Sequence, residues 1–205
     1  MNKILVLSGA GISATAKIPT FDDVPEMREV LSLEYFTKHY EEFWEKLIPL
    51  YKRIVDARPT LAHKLISSNY YDIITMNIDG LHTKAGSTNV IEVHGNLQNV
   101  HCTNSECNSV FKFEDVYNLR KCPKCSSKLK PGIVLYGEEA LLYQKAFDTL
   151  FKYAGKDFLI VGTSFKNEFP IKMKEQAEKL HCNIKIINKN ADEEVADYLI
   201  DYLFK

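Results

Sequence analysis

The chain has 205 residues, a formal net charge of -1 and 45% hydrophobic side chains. That length accommodates one sizeable core, or one core with a small appended module. A nearly neutral charge argues against wholesale binding to nucleic acid or to an anionic membrane surface. No apolar run approaches the length that spans a bilayer, and no leader pattern precedes the first apolar run. We therefore expect a monomeric, cytoplasmic protein with no membrane partner and no strong affinity for nucleic acid.

Four short apolar runs rich in Ile, Val and Leu recur along the chain, and each is too short for a helix. They cover residues 4–7, 71–75, 158–161 and 184–187. Continuous rather than alternating hydrophobicity is typical of parallel strands that are buried on both faces. Small or polar residues follow each run. Because the carboxyl ends of parallel strands meet at one edge of a sheet, we expect these four loops to converge on a single crevice.

Helical patterns separate the predicted strands. Apolar side chains recur at intervals of three and four over residues 40–51, although Pro49 should kink or divide such a helix. Residues 141–150 and 195–203 carry two more helical patterns. Alternating strands and helices predict an α/β fold, a parallel sheet with helices on both faces. Two insertions interrupt the alternation, at residues 22–58 and 97–130.

A dense group of polar residues follows the second predicted strand. Asn77 and Asp79 come directly after it, at the carboxyl end where open α/β sheets bind ligands. His94 ends a further apolar stretch, residues 90–93, and precedes Gly95. Histidine acts as a base near neutral pH, which makes His94 a candidate catalytic residue. The alternative is a core histidine that is hydrogen-bonded to the backbone.

A glycine-rich turn follows the first predicted strand. Gly9, Gly11 and Ala14 fit the Gly-x-Gly-x-x-Gly/Ala pattern, in which the backbone approaches a pyrophosphate at a helix start. The acidic residue that dinucleotide-binding dehydrogenases place about twenty positions later is missing. A tight strand-to-helix turn without a ligand would explain the same three residues.

Four of the five cysteines are clustered. Cys102 and Cys107 form one pair, Cys122 and Cys125 form another, and fourteen residues separate the pairs. In an intracellular protein this layout is typical of a zinc ribbon rather than of disulfides. Four thiolates close a tetrahedral site, so the zinc should be structural. His101, beside the first cysteine, is an alternative ligand.

Taken together, the motifs resemble those of the sirtuins, the NAD-dependent protein deacylases. They occur in the family's order over nearly the whole chain. The matching segments are residues 9–13, 18–21, 75–82, 94–95, the paired cysteines, 134–138, 162–164 and 187–188. Residues 57–63 also resemble the segment with which sirtuins begin the helix that follows their variable insert. We therefore expect His63 to have a structural role.

The resemblance implies a Rossmann-like, discontinuous NAD-binding domain and a small domain, with acyl-lysine entering between them. The large domain would comprise residues 1–21, 59–96 and 131–205, and the small domain would comprise the helical insert 22–58 and the zinc ribbon 97–130. In sirtuins the acyl oxygen attacks the ribose anomeric carbon and expels nicotinamide. A histidine then acts as general base on a ribose hydroxyl, and the acyl group passes from lysine to ADP-ribose.

Site residues carry over by position. The resemblance implies that His94, Asn77 and Asp79 are catalytic, that the segment 134–138 pairs with the substrate backbone as an added strand, and that zinc binds to the four cysteines. The substrate-binding residues would be Val134, Leu135, Tyr136, Gly137 and Glu138. The cofactor-binding residues would be Gly9, Ala10, Gly11, Ile12, Pro19, Phe21, Met76, Asn77, Ile78, Asp79, His94, Gly162, Thr163, Ser164, Asn188 and Lys189.

Two residues depart from the sirtuin pattern inside the expected cofactor site. Asp22 stands where the family has arginine, and Met76 stands where it has glutamine. These changes keep two alternatives open on the same scaffold: an NAD glycohydrolase or mono-ADP-ribosyltransferase, and a non-catalytic module that binds NAD and zinc. The Tyr-x-x-Arg pair of sirtuins that prefer acidic acyl groups would align with residues 47–50, which are apolar. We therefore expect an uncharged acyl group as substrate.

Overall fold

The computed structural model of the chain describes residues 3–18 and 24–203. The predictions for Pro19, Phe21 and Asp22 lie outside the described residues. The strands are β1 (Ile4–Ser8), β2 (Tyr71–Thr75), β3 (Val90–Glu92), β4 (Gly95–Cys102), β5 (Val110–Lys112), β6 (Leu129–Ile133), β7 (Asp157–Val161) and β8 (Asn183–Ile187). The helices are α1 (Glu26–Val30), α2 (Leu33–Lys38), α3 (Tyr40–Asp56), α4 (Leu61–Leu65), α5 (Leu81–Lys84), α6 (Phe113–Val116), α7 (Tyr143–Phe151), α8 (Glu168–Lys179) and α9 (Ala191–Leu203), with a 3₁₀ helix at Ala10–Ala16.

Within the described residues, five strands form a parallel sheet in the order β3-β2-β1-β7-β8. The four predicted strands are all present in it. The chain leaves β1 toward β2 on one side and later returns to β7 on the other side. This reversal makes the β1–β7 boundary the topological switch point, where a crevice opens beyond the carboxyl ends of the strands. Ser8, Thr75 and Val161 lie level there.

Both faces of the parallel sheet are covered, as the continuous apolar runs predict. Leu5 and Leu7 of β1 pack toward α7 and α8, whereas Ile4 and Val6 pack toward α4 and α9. Successive strand residues point to opposite faces, so a run that is apolar throughout serves two layers at once. The result is a helix–sheet–helix arrangement.

The two insertions pack together into a smaller unit with its own core. An antiparallel sheet, β5-β4-β6, carries the cysteine pairs, and α1, α2 and α3 cover it. Phe43, Trp44 and Leu47 of α3 are fully buried in this core, and Tyr51 stacks on Phe113 with ring centroids 3.8 Å apart. Gly95 pairs with Ile133, so the sheet extends past the predicted module limits of 97 and 130.

Helix α3 runs from Tyr40 to Asp56 as a single helix, so Pro49 does not divide it, and a kink there stays a prediction. Proline removes one intrahelical hydrogen bond, but the apolar face of α3 is buried against the small sheet and the packing maintains the helix. In the part of the chain that the structure describes, no helix combines the length and hydrophobicity that crossing a bilayer would take.

Candidate functional site

Three buried polar side chains meet at the carboxyl edge of β1 and β2. The Ser13 hydroxyl donates to Asp79 Oδ2 at 2.7 Å. Asn77 Nδ2 lies 3.1 Å from Ser13 Oγ and 3.3 Å from Asp79 Oδ2, and the Leu81 amide donates to Asp79 Oδ1 at 2.9 Å. The amide and carboxylate predicted from the sequence therefore do come together. Ser13 was missed, although it ends the segment 9–13 that matches the sirtuin pattern.

The glycines of the first loop contact the loop after β7. Gly9 N donates to the Val161 carbonyl at 3.0 Å, and Gly11 N donates to the Gly162 carbonyl at 2.8 Å. A Cβ added at Gly9 would lie 2.7 Å from the Gly162 carbonyl oxygen, and one at Gly11 would lie 2.7 Å from Gly162 Cα. Close packing of two loops thus explains the glycines here. Since both amides are engaged in this conformation, their role in phosphate binding stays a prediction.

The loops after β7 and β8 are joined in the same way. The Thr163 amide donates to Asn188 Oδ1 at 3.0 Å, and Gly162 N donates to the Ile187 carbonyl at 2.7 Å. Thr163 is buried, whereas Ser164 and Lys189 are exposed beside it. These residues, which are among those predicted to bind the cofactor, therefore line one edge, and the Asn188 side chain is already engaged by a backbone amide.

His94 lies beside this edge, and both ring nitrogens have partners. Nδ1 is 3.0 Å from the Met76 carbonyl oxygen, and Nε2 is 2.8 Å from the Tyr143 hydroxyl. A carbonyl only accepts, so Nδ1 carries the proton and Nε2 holds the lone pair. Burial lowers the pKa of His94 from its ordinary value, and the Met76 carbonyl opposes that shift. The ring is therefore neutral near pH 7, the form that a general base requires.

Met76 acts on His94 through its backbone alone. Its side chain packs against the core on the α7 and α8 side of the sheet, and its amide donates to the Ser8 carbonyl at 3.0 Å. The change from glutamine at this position thus leaves the histidine contact in place.

Two further histidines, His63 and His82, are buried beneath the site. His82 Nε2 lies 2.8 Å from the Ser8 hydroxyl, His63 Nδ1 lies 2.8 Å from the Thr60 hydroxyl, and the two rings are 4.6 Å apart. Burial lowers the pKa of His82 to about 3 and also lowers the pKa of His63. Both rings stay neutral, which fits the structural role that we expect for His63.

Glu92 is a titratable residue near the site that no sequence motif had indicated. It ends β3 and accepts a hydrogen bond from Asn96 Nδ2 at 2.8 Å. Burial raises the pKa of Glu92 to about 6, and the nearby Asp79 carboxylate adds to the shift. Negative charge thus accumulates on this side of the crevice as the pH rises above 6.

The predicted substrate segment is held from one side by the helical insert. Tyr136 N donates to the Leu31 carbonyl, and the Tyr136 carbonyl accepts from Leu33 N, both at 2.9 Å. On the preceding residue, the Leu135 amide donates to Glu138 Oε2 at 2.8 Å. Because successive residues of an extended chain direct their amides to opposite edges, Leu135 and Gly137 face the edge away from the insert. The Leu135 carbonyl also accepts from the Glu138 amide at 2.9 Å, so pairing of this edge with a substrate strand stays a prediction.

The four clustered cysteines come together as predicted. Their Sγ atoms all lie within 4.8 Å of one another, with Cys102 and Cys125 3.4 Å apart and Cys107 and Cys122 3.8 Å apart. A tetrahedron with Zn–S bonds of about 2.3 Å places its sulfurs about 3.8 Å apart. Backbone amides of Asn104 and Lys124 donate to two of the sulfurs at 3.4 Å. The donor set fits zinc, and His101 is not part of this group.

The polar groups at the sheet edge suit a ligand that offers hydroxyl and carboxamide groups. Asp79 supplies acceptors and Asn77 supplies a donor, and these groups now bond to each other, to Ser13 and to the Leu81 amide. A buried edge of this kind, at a switch point, is the usual position of a dinucleotide in an open α/β sheet.

Comparison with known proteins agrees with this geometry. A family model described as the Sir2 family matches residues 9–168. The chain is 31% identical over 222 residues to NAD-dependent protein deacetylase 1 of Pyrobaculum aerophilum, covering 98% of this chain and 84% of the relative. It is 32% identical over 221 residues to an NAD-dependent protein deacetylase of Bacillus cereus, covering 99% and 88%. The crystal structure of a Sir2 homologue–NAD complex superposes with a TM-score of 0.83 at 26% identity, covering 98% of this chain and 90% of that chain.

Proposed function

Since this chain belongs to the Sir2 family and is an NAD-dependent protein-lysine deacylase, we propose that His94 is the general base of its reaction. The observation that carries the proposal is the fixed tautomer of His94. The Met76 carbonyl accepts a hydrogen bond from Nδ1–H, so the lone pair of the neutral ring is on Nε2. Burial holds the ring neutral near pH 7.

The three polar side chains at the sheet edge, Ser13, Asn77 and Asp79, then contribute to NAD binding. When bound, NAD supplies the ribose carbon that accepts the acyl oxygen as nicotinamide leaves. Asn77 and Asp79 are suited to hold the ribose and the carboxamide, and Ser13 keeps the Asp79 carboxylate oriented. Ile78 is partly buried against the small core beside them and would wall the nicotinamide pocket.

Substrate selection rests on the segment 134–138. The insert occupies one edge of this segment through Leu31 and Leu33. The backbone of an acyl-lysine peptide would pair with the opposite edge, replacing the two hydrogen bonds that Glu138 makes there to Leu135. Main-chain pairing gives affinity with little preference for sequence. Zinc holds the ribbon to which this segment is joined and takes no part in the chemistry, because four thiolates leave no open position.

The decisive experiment replaces His94 with alanine. General base catalysis contributes roughly 10² to 10⁴ in rate, so His94→Ala should lower the deacetylation kcat by about that factor, or roughly 3 to 5 kcal/mol of barrier. The variant should still bind NAD, as measured by calorimetry. His39→Ala is a matched control, because His39 is exposed on the insert. Wild-type deacetylation by His94→Ala would rule the assignment out.

The same assay separates deacylation from the other chemistry that this scaffold supports. Nicotinamide release should depend strictly on acylated peptide, and NAD consumption without any peptide would instead indicate a glycohydrolase. One peptide offered in acetylated and succinylated forms tests acyl preference. The apolar stretch Leu47–Leu50 offers no cation to a succinyl carboxylate, so the acetylated form should be faster. Faster desuccinylation refutes the preference.

We also propose that the protein acts as a monomer in the cytoplasm. None of the five cysteines forms a disulfide, and a four-thiolate zinc site suits a reducing compartment. The oligomeric state can be measured by light scattering on the zinc-loaded protein, where a dimer would contradict the proposal.

A further inference from the structure

The Tyr143 hydroxyl is hydrogen-bonded to His94 Nε2, the nitrogen with which a general base would accept a proton. The neutral ring of His94 has one lone pair, on Nε2, and the Tyr143 hydroxyl donates to it at 2.8 Å. A substrate hydroxyl cannot reach the same lone pair while this hydrogen bond is in place. Either Tyr143 leaves when substrate binds, or it takes part in the proton transfer.

The packing around Tyr143 favours the second alternative. Tyr143 begins α7, and its ring stacks on Phe169 with centroids 4.2 Å apart and planes 23° apart. Phe169 is 4% exposed and is held edge-on by Phe147. Withdrawing the hydroxyl would break an aromatic stack and a hydrogen bond together, whereas a relay leaves both in place.

We propose that Tyr143 is a proton relay between the substrate hydroxyl and His94, an inference that rests on His94 being the general base. The substrate O–H bond breaks and its proton bonds to Tyr143 Oη, while the original Tyr143 proton passes to His94 Nε2. The electron pair left on the substrate oxygen is then free to attack. One proton enters the relay and one leaves it, so Tyr143 ends as it began.

The chemical state of Tyr143 suits this role. A hydroxyl oxygen can accept one hydrogen bond while it donates another. Burial raises the pKa of Tyr143, so its hydroxyl stays protonated near pH 7 and continues to donate to Nε2. Tyrosinate, which would compete with His94 as the base, is not formed.

The test compares Tyr143→Phe with Tyr153→Phe. Tyr153 is a matched control, because its ring packs against the same core cluster as Tyr143 and its hydroxyl donates to a carboxylate, Asp72, at 2.7 Å. Two reactions are measured with acetylated peptide: exchange of labelled nicotinamide, which precedes the need for a base, and deacetylation, which requires it. Tyr143→Phe should keep exchange within about twofold of wild type and lower deacetylation by on the order of 10². Tyr153→Phe should leave both unchanged.

A second measurement uses the protein without cofactor. The Tyr143 hydroxyl stabilises the neutral imidazole, so Tyr143→Phe should raise the His94 pKa and shift its Nε2 resonance in ¹⁵N-histidine NMR spectra. No such shift means that the hydrogen bond does not exist in solution, which overturns the proposal.

Three kinetic results for Tyr143→Phe would each contradict the relay. Faster deacetylation by Tyr143→Phe would mean that the hydroxyl obstructs the base, and an unchanged rate would mean that it is idle. Parallel loss of exchange and deacetylation would indicate a binding role. Each of these results overturns the relay while His94→Ala remains inactive. An active His94→Ala would instead remove the proposed function on which the relay rests.

Discussion

Gly162 provides the sharpest test of how the crevice is built. Its φ is +66°, and a Cβ added there would overlap the Ile12 amide nitrogen and lie 2.6 Å from the Gly11 carbonyl carbon. Gly155 has nearly the same φ, +69°, but nothing lies within 4 Å of its added Cβ. The two positions therefore share a backbone cost and differ in steric crowding.

The expected losses of stability follow from that difference. Alanine in the left-handed region costs about 1 to 2 kcal/mol at either glycine. At Gly162 the overlap with the first loop adds about 1 to 3 kcal/mol, as overpacking does elsewhere. Urea unfolding should thus show Gly162→Ala losing about 1 to 3 kcal/mol more than Gly155→Ala.

The same pair of variants should differ in cofactor binding. Gly162→Ala pushes apart the loops after β1 and β7, so NAD affinity should fall, whereas Gly155 lies at the opposite end of β7 and its variant should bind normally. Calorimetry measures both. Equal losses of stability in the two variants, with equal NAD affinity, would refute the conclusion that loop contact fixes glycine at 162.

The remaining predictions concern metal and pH. Removing zinc with a chelator should unfold the small unit and lower the melting temperature, because structural zinc contributes folding free energy directly; loss of activity with an unchanged melting temperature would contradict a structural site. His82 has a folded pKa of about 3, below the value of about 6.5 expected when unfolded. Its contribution to stability should therefore be complete above pH 6.5 and decline as the pH falls toward 3, by up to about 1.4 kcal/mol per unit. Urea unfolding at pH 7 and pH 5 measures the loss, and no difference between His82→Gln and wild type in this pH dependence would contradict the assignment.

Sequence patterns were sufficient to predict the elements that depend on neighbouring residues in the chain. The strands at 71–75 and 158–161 were predictable because burial on both faces requires continuous apolar residues, and the cysteine spacing predicted a cluster that does form. Continuity of α3 through Pro49 was not predictable, because packing against the small sheet outweighs the local preference.

Two of the missed site residues have partners that lie far along the chain. Tyr143 and His94 are 49 residues apart, and Ser13 and Asp79 are 66 apart. Nothing near position 143 distinguishes that tyrosine from the other aromatic residues of an amphipathic helix. Such a contact depends on the relative placement of α7 and the sheet edge, which no short pattern encodes.

The orientation of His94 depends on a peptide carbonyl, that of Met76, rather than on a side chain. Every amino acid at position 76 has the same backbone carbonyl oxygen, so a substitution at position 76 does not remove this hydrogen-bond acceptor. The side chain at position 76 is therefore not needed to orient His94, and we expect substitutions there to have little effect on that orientation. Saturation mutagenesis at this position should accordingly alter the core packing on the α7 and α8 side of the sheet while the Met76 carbonyl still orients His94.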